Sequence, residues 1–156
     1  MPIKRNPNIK PLSREHHHGL LFCWKLVQGE KLAVDVARVT GYIDFFWKNR
    51  LKGHFDKEEQ LLFKLLDDPI SKEGFLQHET IRQQIDLCLS SVVEWLDCMK
   101  LSQLINSHIR FEERVLFPHY EKNIPQENLV KIGSKLADQA DEGEDGYLDE
   151  FWVKST

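Results

Sequence analysis

Cysteine is scarce in this chain and badly placed for cross-linking. Cys23, Cys88 and Cys98 are odd in number and widely spaced, which excludes a disulfide framework and a CxxC pair, so they read as buried free thiols. No apolar run approaches the roughly 20 residues of a membrane span. The stretch from Met1 to Leu12 lacks the apolar centre of a secretory signal, so a cytoplasmic protein without membrane attachment is expected. A basic excess is missing too: the net charge is -4, and beyond the first turns of chain there is no cluster of Lys and Arg to grip nucleic acid or anionic lipid. Nor is there a glycine-rich phosphate loop or a Ser/His/Asp grouping.

What is present is helical patterning over 156 residues, 41% of them hydrophobic, enough for one core and one domain. The expected fold is all-α, an up-down-up-down four-helix bundle over 13–122. It is preceded by an extended arm over 1–12, with Pro2, Pro7 and Pro11, and followed over 123–156 by a short helix and an acidic tail. Helix one is expected to start at an N-cap, Ser13, bury Leu20, Trp24 and Val27, and stop at Gly29. Helix two carries the seam Ile43, Trp47, Leu51, His54, Glu58, Leu61, Leu65 and ends at Asp67-Asp68-Pro69. Helix three, from Ser71 or Lys72, carries His78, Ile81 and Ile85; helix four carries Leu101, Leu104, His108, Glu112 and Val115. Leu89-Ser90-Ser91-Val92 is the best candidate for the turn between them. The acidic run from Asp138 to Glu150 reads as a solvated tail, against the alternative that Tyr147, Phe151 and Trp152 dock on the bundle or on a second subunit.

The informative feature is a repeat. His54-Phe-Asp-Lys-Glu58-Glu59-Gln-Leu-Leu62-Phe63 recurs 54 residues later as His108-Ile-Arg-Phe-Glu112-Glu113-Arg-Val-Leu116-Phe117. One HxxxE means little, but two extended copies of H-x-x-x-E-E-x-x-L-F mean more. Residues four apart share a helix face, so each copy aims an imidazole and a carboxylate along a seam that is otherwise apolar. There an unpaired carboxylate would cost several kcal/mol, and a metal ion compensates it. Helix three adds His78. For helix one, His17 is selected because apolar Leu20 and Trp24 follow at +3 and +7, with His16, followed by Gly19 and Cys23, as the alternative. A lone buried histidine is more often a hydrogen-bonded core residue, but the set His17, His54, Glu58, His78, His108 and Glu112 suits two metal ions with bridging carboxylates. Imidazole and carboxylate without thiolate suit iron or manganese better than structural zinc. Glu59 and Glu113 are expected to face solvent or to hydrogen-bond the ligands from outside, and His119 to be peripheral.

These residues resemble the hemerythrin-like, or HHE cation-binding, family over about Leu12 to Tyr120, through Leu12-Ser13-Arg14-Glu15-His16-His17, HFDKEEQLLF, His78 and HIRFEERVLFP. The resemblance implies a non-haem di-iron centre, oxo- or hydroxo-bridged. Oxygen carriers of that family usually have a second histidine four residues after the third-helix one, and a terminal His-x-x-x-x-Asp; here Arg82 and Glu112 stand instead. The chain therefore looks like the branch with four histidines and two glutamates, associated with sensing of iron or oxygen and with nitric-oxide or redox stress. The expectation is a monomer or homodimer that binds or senses oxygen, nitric oxide or iron. The alternatives are an iron-dependent oxidoreductase acting on peroxide or nitric oxide, an iron donor in iron-sulfur cluster repair, and a scaffold held together by its metal.

Overall fold

The computed structural model describes residues 4–137 and 146–154. The described residues form helices joined by short turns, with no strand among them. Helix α1 is Lys10–Lys31. Helix α2 runs over 36–61 as Val36–Phe46, a π-helical turn at Trp47–Leu51, and Lys52–Leu61. Helix α3 is Pro69–Cys88. Helix α4 runs over 95–123 as Trp95–Phe111, a second π turn at Glu112–Leu116, and Phe117–Asn123. Helix α5 is Gln126–Ala137. None of them is long and apolar enough to cross a membrane.

Local chemistry explains most boundaries. Asp35 caps α2 through the Ala37 N–H, and Asp68 caps α3 through the Ser71 N–H ahead of Pro69. Helix α4 opens with a capping box in which the Glu94 side chain meets the Asp97 backbone and the Asp97 side chain meets the Glu94 backbone. The expected break at Leu89–Val92 falls where α3 ends, with Leu89 as its C-cap. Ser13 does not cap α1. The helix begins one turn earlier, with Pro11 in its first turn, and the Ser13 hydroxyl instead hydrogen-bonds Glu113. Gly29 does not stop α1 either; Ala33, at φ 54°, takes the left-handed residue of the exit.

Two apolar clusters define the direction of each helix. One gathers Phe22, Leu26, Val39, Ile43, Phe46, Phe55, Ile81, Ile85, Leu101 and Ile105. The other gathers Leu12, Leu62, Phe63, Leu116, Phe117, Tyr120, Leu129 and Ile132. Helix α1 passes from the second to the first, α2 returns, α3 has Ile81 and Ile85 in the first, and α4 returns to the second, which is the up-down-up-down bundle. The layer between the clusters is polar.

Both ends are covered. Arg5, with its side chain only 5% exposed, bonds the Glu121 carboxylate at 2.6 Å and the Glu113 carbonyl and carboxylate at 2.7 and 2.8 Å, so the arm from residue 4 is tied to α4. At the other end the solvated-tail expectation fails for the described part of the segment. Phe151 is 1% exposed and joins the first cluster beside Tyr42, Tyr147 and Trp152, and Arg38 grips Asp149 through two hydrogen bonds. A β-carbon at Gly29 would lie 3.0 Å from the Phe151 ring and from Trp95, which is why a helix-interior glycine is used there. The acidic stretch over 138–145 lies outside the described residues.

Candidate metal centre

The polar layer is a cluster of four histidines and two glutamates, one histidine from each bundle helix. On α1 the residue is His16, and this corrects the expectation of His17. His16 is 5% exposed, whereas His17 is on the surface with its supposed partners Leu20 and Trp24, 43% and 50% exposed. The reason lies in residue size. The inner face of α1 is Leu12, His16, Gly19, Cys23 and Leu26, and the small residues let α4 approach so closely that a β-carbon on Gly19 would sit 2.9 Å from Ile109 Cδ1. A search for bulky apolar neighbours passes over such a face. The other five expected residues, His54, Glu58, His78, His108 and Glu112, meet in the cluster, and both glutamates are fully buried.

Two overlapping groups each place four ligand atoms within 4.8 Å of one another: His16, His54, Glu58, Glu112, and Glu58, His78, His108, Glu112. The shared members are the two glutamates. His16 Nε2 lies 2.9 Å from Glu112 Oε1, His54 Nε2 3.2 Å from Glu58 Oε1, His78 Nε2 3.2 Å from Glu58 Oε1, and His108 Nε2 3.2 Å from Glu112 Oε1. His78 and His108 bring their Nε2 atoms within 3.1 Å of each other.

The opposite nitrogens follow one rule. Every Nδ1 faces an acceptor from the helix that precedes its own, the last closing on the first. Glu15 of α1 meets His54 Nδ1 at 3.0 Å and Glu59 of α2 meets His78 Nδ1 at 2.6 Å. Gln77 of α3 meets His108 Nδ1 at 2.8 Å, and Glu113 of α4 meets His16 Nδ1 at 2.9 Å. The expectation that Glu59 and Glu113 hydrogen-bond the ligands from outside holds. Glu15 and Gln77 were not foreseen. Their one signal is position, since each immediately precedes an inward histidine in the chain.

This arrangement fixes protons. An acceptor at Nδ1 places the hydrogen there and turns the Nε2 lone pair inward. Inside, however, Nε2 meets only carboxylate oxygens or another Nε2. At His16, His54 and His78 such a ring takes a second proton or gives its lone pair to a metal, and without metal the proton is favoured. Burial opposes the charge on His16, but its hydrogen bonds to Glu112 and Glu113 and the nearby Glu58 carboxylate outweigh that penalty and raise its pKa well above the imidazole range. His54, against the same burial penalty, is held at about 9 by the charge of Glu58 and by Glu15, and His78 is raised by Glu58 and Glu59. Burial would push the Glu58 carboxyl up, but the charge of His54, the nearby His16 and the hydrogen bond from His78 hold it well below its usual value. Even so, His54 Nε2, Glu58 Oε2 and Glu112 Oε2 are buried without a hydrogen-bond partner. Three buried, unpartnered ligand atoms within one cluster are what a cation would satisfy.

Phe55 stacks on His78 with ring centroids 3.7 Å apart, and Phe63 tilts against it at 5.0 Å. A cavity of about 200 Å³ reaches His16, His54, His108 and Glu112, and its lining includes Asn49, Arg50, Phe55 and Lys57. A β-carbon added to Gly53, on that lining, would meet nothing within 4 Å. His119 lies apart, 2.7 Å from Asp68.

The sequence model of the hemerythrin HHE cation binding domain family matches residues 8–120. The chain belongs to that family, and its buried His/Glu cluster could hold a metal ion. No curated protein and no solved structure gives a match to the chain.

Proposed function

We propose that the cluster holds two iron ions, for which Glu58 and Glu112 would be the shared ligands, and that the chain uses them in the cytoplasm to bind or sense oxygen, nitric oxide or iron itself, as a monomer or homodimer. The observation that carries this reading is the convergence of four Nε2 lone pairs and two carboxylates while every Nδ1 is already held from outside. A bound iron pair would supply one-electron chemistry and exchangeable coordination positions. The chain's own residues do the rest: His16, His54, His78 and His108 donate, the outer acceptors fix ring orientation, and Phe55 and Phe63 close one side. Manganese satisfies the same donors. Occupancy would stabilise the bundle, because a ligand bound only by the folded state at 100 times its Kd adds about 2.7 kcal/mol.

The cavity supports a second reading, an iron-dependent oxidoreductase that admits peroxide or nitric oxide. Metal analysis and an ultraviolet-visible spectrum of aerobically purified protein, before and after reduction and re-exposure to air, test the first reading. About two irons per chain with absorption that bleaches on reduction and returns in air is the expected result. One zinc per chain, or none, overturns it, and sustained turnover of peroxide or nitric oxide by loaded protein moves the chain to the second reading.

A further inference from the structure

We infer that the two metal positions are unequal in affinity and that Gln77 sets the difference; this rests on the two-metal reading above. The repeat makes the comparison clean. His16 and His78 both give Nδ1–H to a carboxylate, Glu113 or Glu59, and each carboxylate is in turn paired with an arginine, Arg5 or Arg82, at 2.8 Å. His54 and His108 occupy corresponding places in the two motif copies, and here the copies part: His54 is backed by the Glu15 carboxylate, His108 by the amide oxygen of Gln77.

The amide cannot serve the other way round. Its Nε2 donates to Glu73 Oε1 at 3.0 Å, which leaves the oxygen for His108. A carboxylate acceptor draws the Nδ1 hydrogen more strongly than an amide does and makes Nε2 the better donor to a cation. Lys57, bound to Glu15, offsets part of that charge but not the bond itself. The position formed by His16 and His54 therefore fills first, and the one formed by His78 and His108 second. Gln77 is a positioning residue, acting through His108.

Metal-free chain titrated anaerobically with Fe(II) against a chromophoric chelator tests this. Wild type should take up two equivalents in two steps separated by about 10- to 100-fold, the range that outer partners of metal ligands command. Gln77→Glu should tighten the second step about 10-fold and leave the first in place. Glu73→Gln combined with Gln77→Glu should do the same, and it removes the repulsion that Glu73 would otherwise exert. Glu15→Gln should weaken the first step by a similar factor. A merely structural role for Gln77 would lower both steps together and never raise one. Two equivalents bound in a single step, or second-step affinities untouched by both glutamate variants, overturn the inference and leave the two-metal reading standing. Uptake of fewer than two equivalents overturns both.

Discussion

His16 and Glu113 meet at 2.9 Å through His16 Nδ1, and Glu113 is the residue that follows Glu112, whose own carboxylate lies 2.9 Å from the other nitrogen of the same ring. One dipeptide of α4 thus grips both ends of one imidazole of α1. The pair separates the inward histidine from its neighbours. His16→Ala should therefore reduce iron content and thermal stability, as should His54→Ala and Glu112→Ala. His17→Ala and His119→Ala should change neither. Metal analysis and melting curves on the five variants decide it, and equal loss in His17→Ala would restore the ligand chosen from apolar spacing.

The metal-free and metal-loaded forms should respond to pH in opposite ways. His54 is raised from 6.5 to about 9, so its contribution is complete below pH 6.5 and is lost as pH rises through 9. The carboxylates run the other way. Burial notwithstanding, bonds from His16 and Ser13 bring Glu113 down to about 2, and its contribution is present above its ordinary 4.5 and lost as pH falls toward 2. Chelator-treated protein should melt highest between about pH 4.5 and 6.5, as those values require. Metal must displace imidazole protons, so the gain in melting temperature on loading should grow as pH rises. Melting curves with parallel pH dependence in chelator and in metal would show that the cluster protons and the metal do not compete.

Phe151 is a core residue of a segment rich in acid. Phe151→Ala should cost about 3–5 kcal/mol, the usual loss for a buried phenylalanine, with iron stoichiometry unchanged because the metal layer lies elsewhere. Gly29→Ala, which would press on the same ring, should cost about 1–3 kcal/mol. Denaturant unfolding checks both, and a change near zero for Phe151→Ala would mean that the segment contributes no stability.

The π turn at Trp47–Leu51 places one residue more in α2 than a regular helix would hold. Deleting Asn49 should remove the turn, leave a regular helix and keep His54 and Glu58 in the layer, because it takes out the one residue that the turn absorbs. Circular dichroism and metal analysis on the deletion variant would show helix and metal content both retained. Loss of metal with helix retained would mean that the turn itself sets the direction of His54 and Glu58.

These turns also explain what could and could not be seen in the sequence. The bundle, the short final helix, the turn near Ser90 and five of the six cluster residues were legible, because periodicity and the H-x-x-x-E-E-x-x-L-F repeat carry them directly. The seam of α4 was legible only up to its π turn. Past Glu112 a regular helix would bury Val115, yet Val115 is 43% exposed and Leu116 and Phe117 are buried. In α2 the turn precedes the motif, whereas in α4 it lies within it, so two similar sequences pass through the layer by different local paths. Small residues hid the inner face of α1, and the helix-to-helix reach of Glu15 and Gln77 has no expression in spacing along one chain.

The ring of acceptors has no first member. α1 supports α2, α2 supports α3, α3 supports α4 and α4 supports α1, and the bundle's two ends meet where Arg5 bonds Glu121. To the centre, then, the place where the polypeptide starts is arbitrary. A circular permutant opened in the loop between α2 and α3, with residue 154 joined to residue 4 by a linker that runs the length of the bundle, would keep all four histidine and acceptor pairs, because what the polar layer requires is a cyclic order of helices and not a linear one.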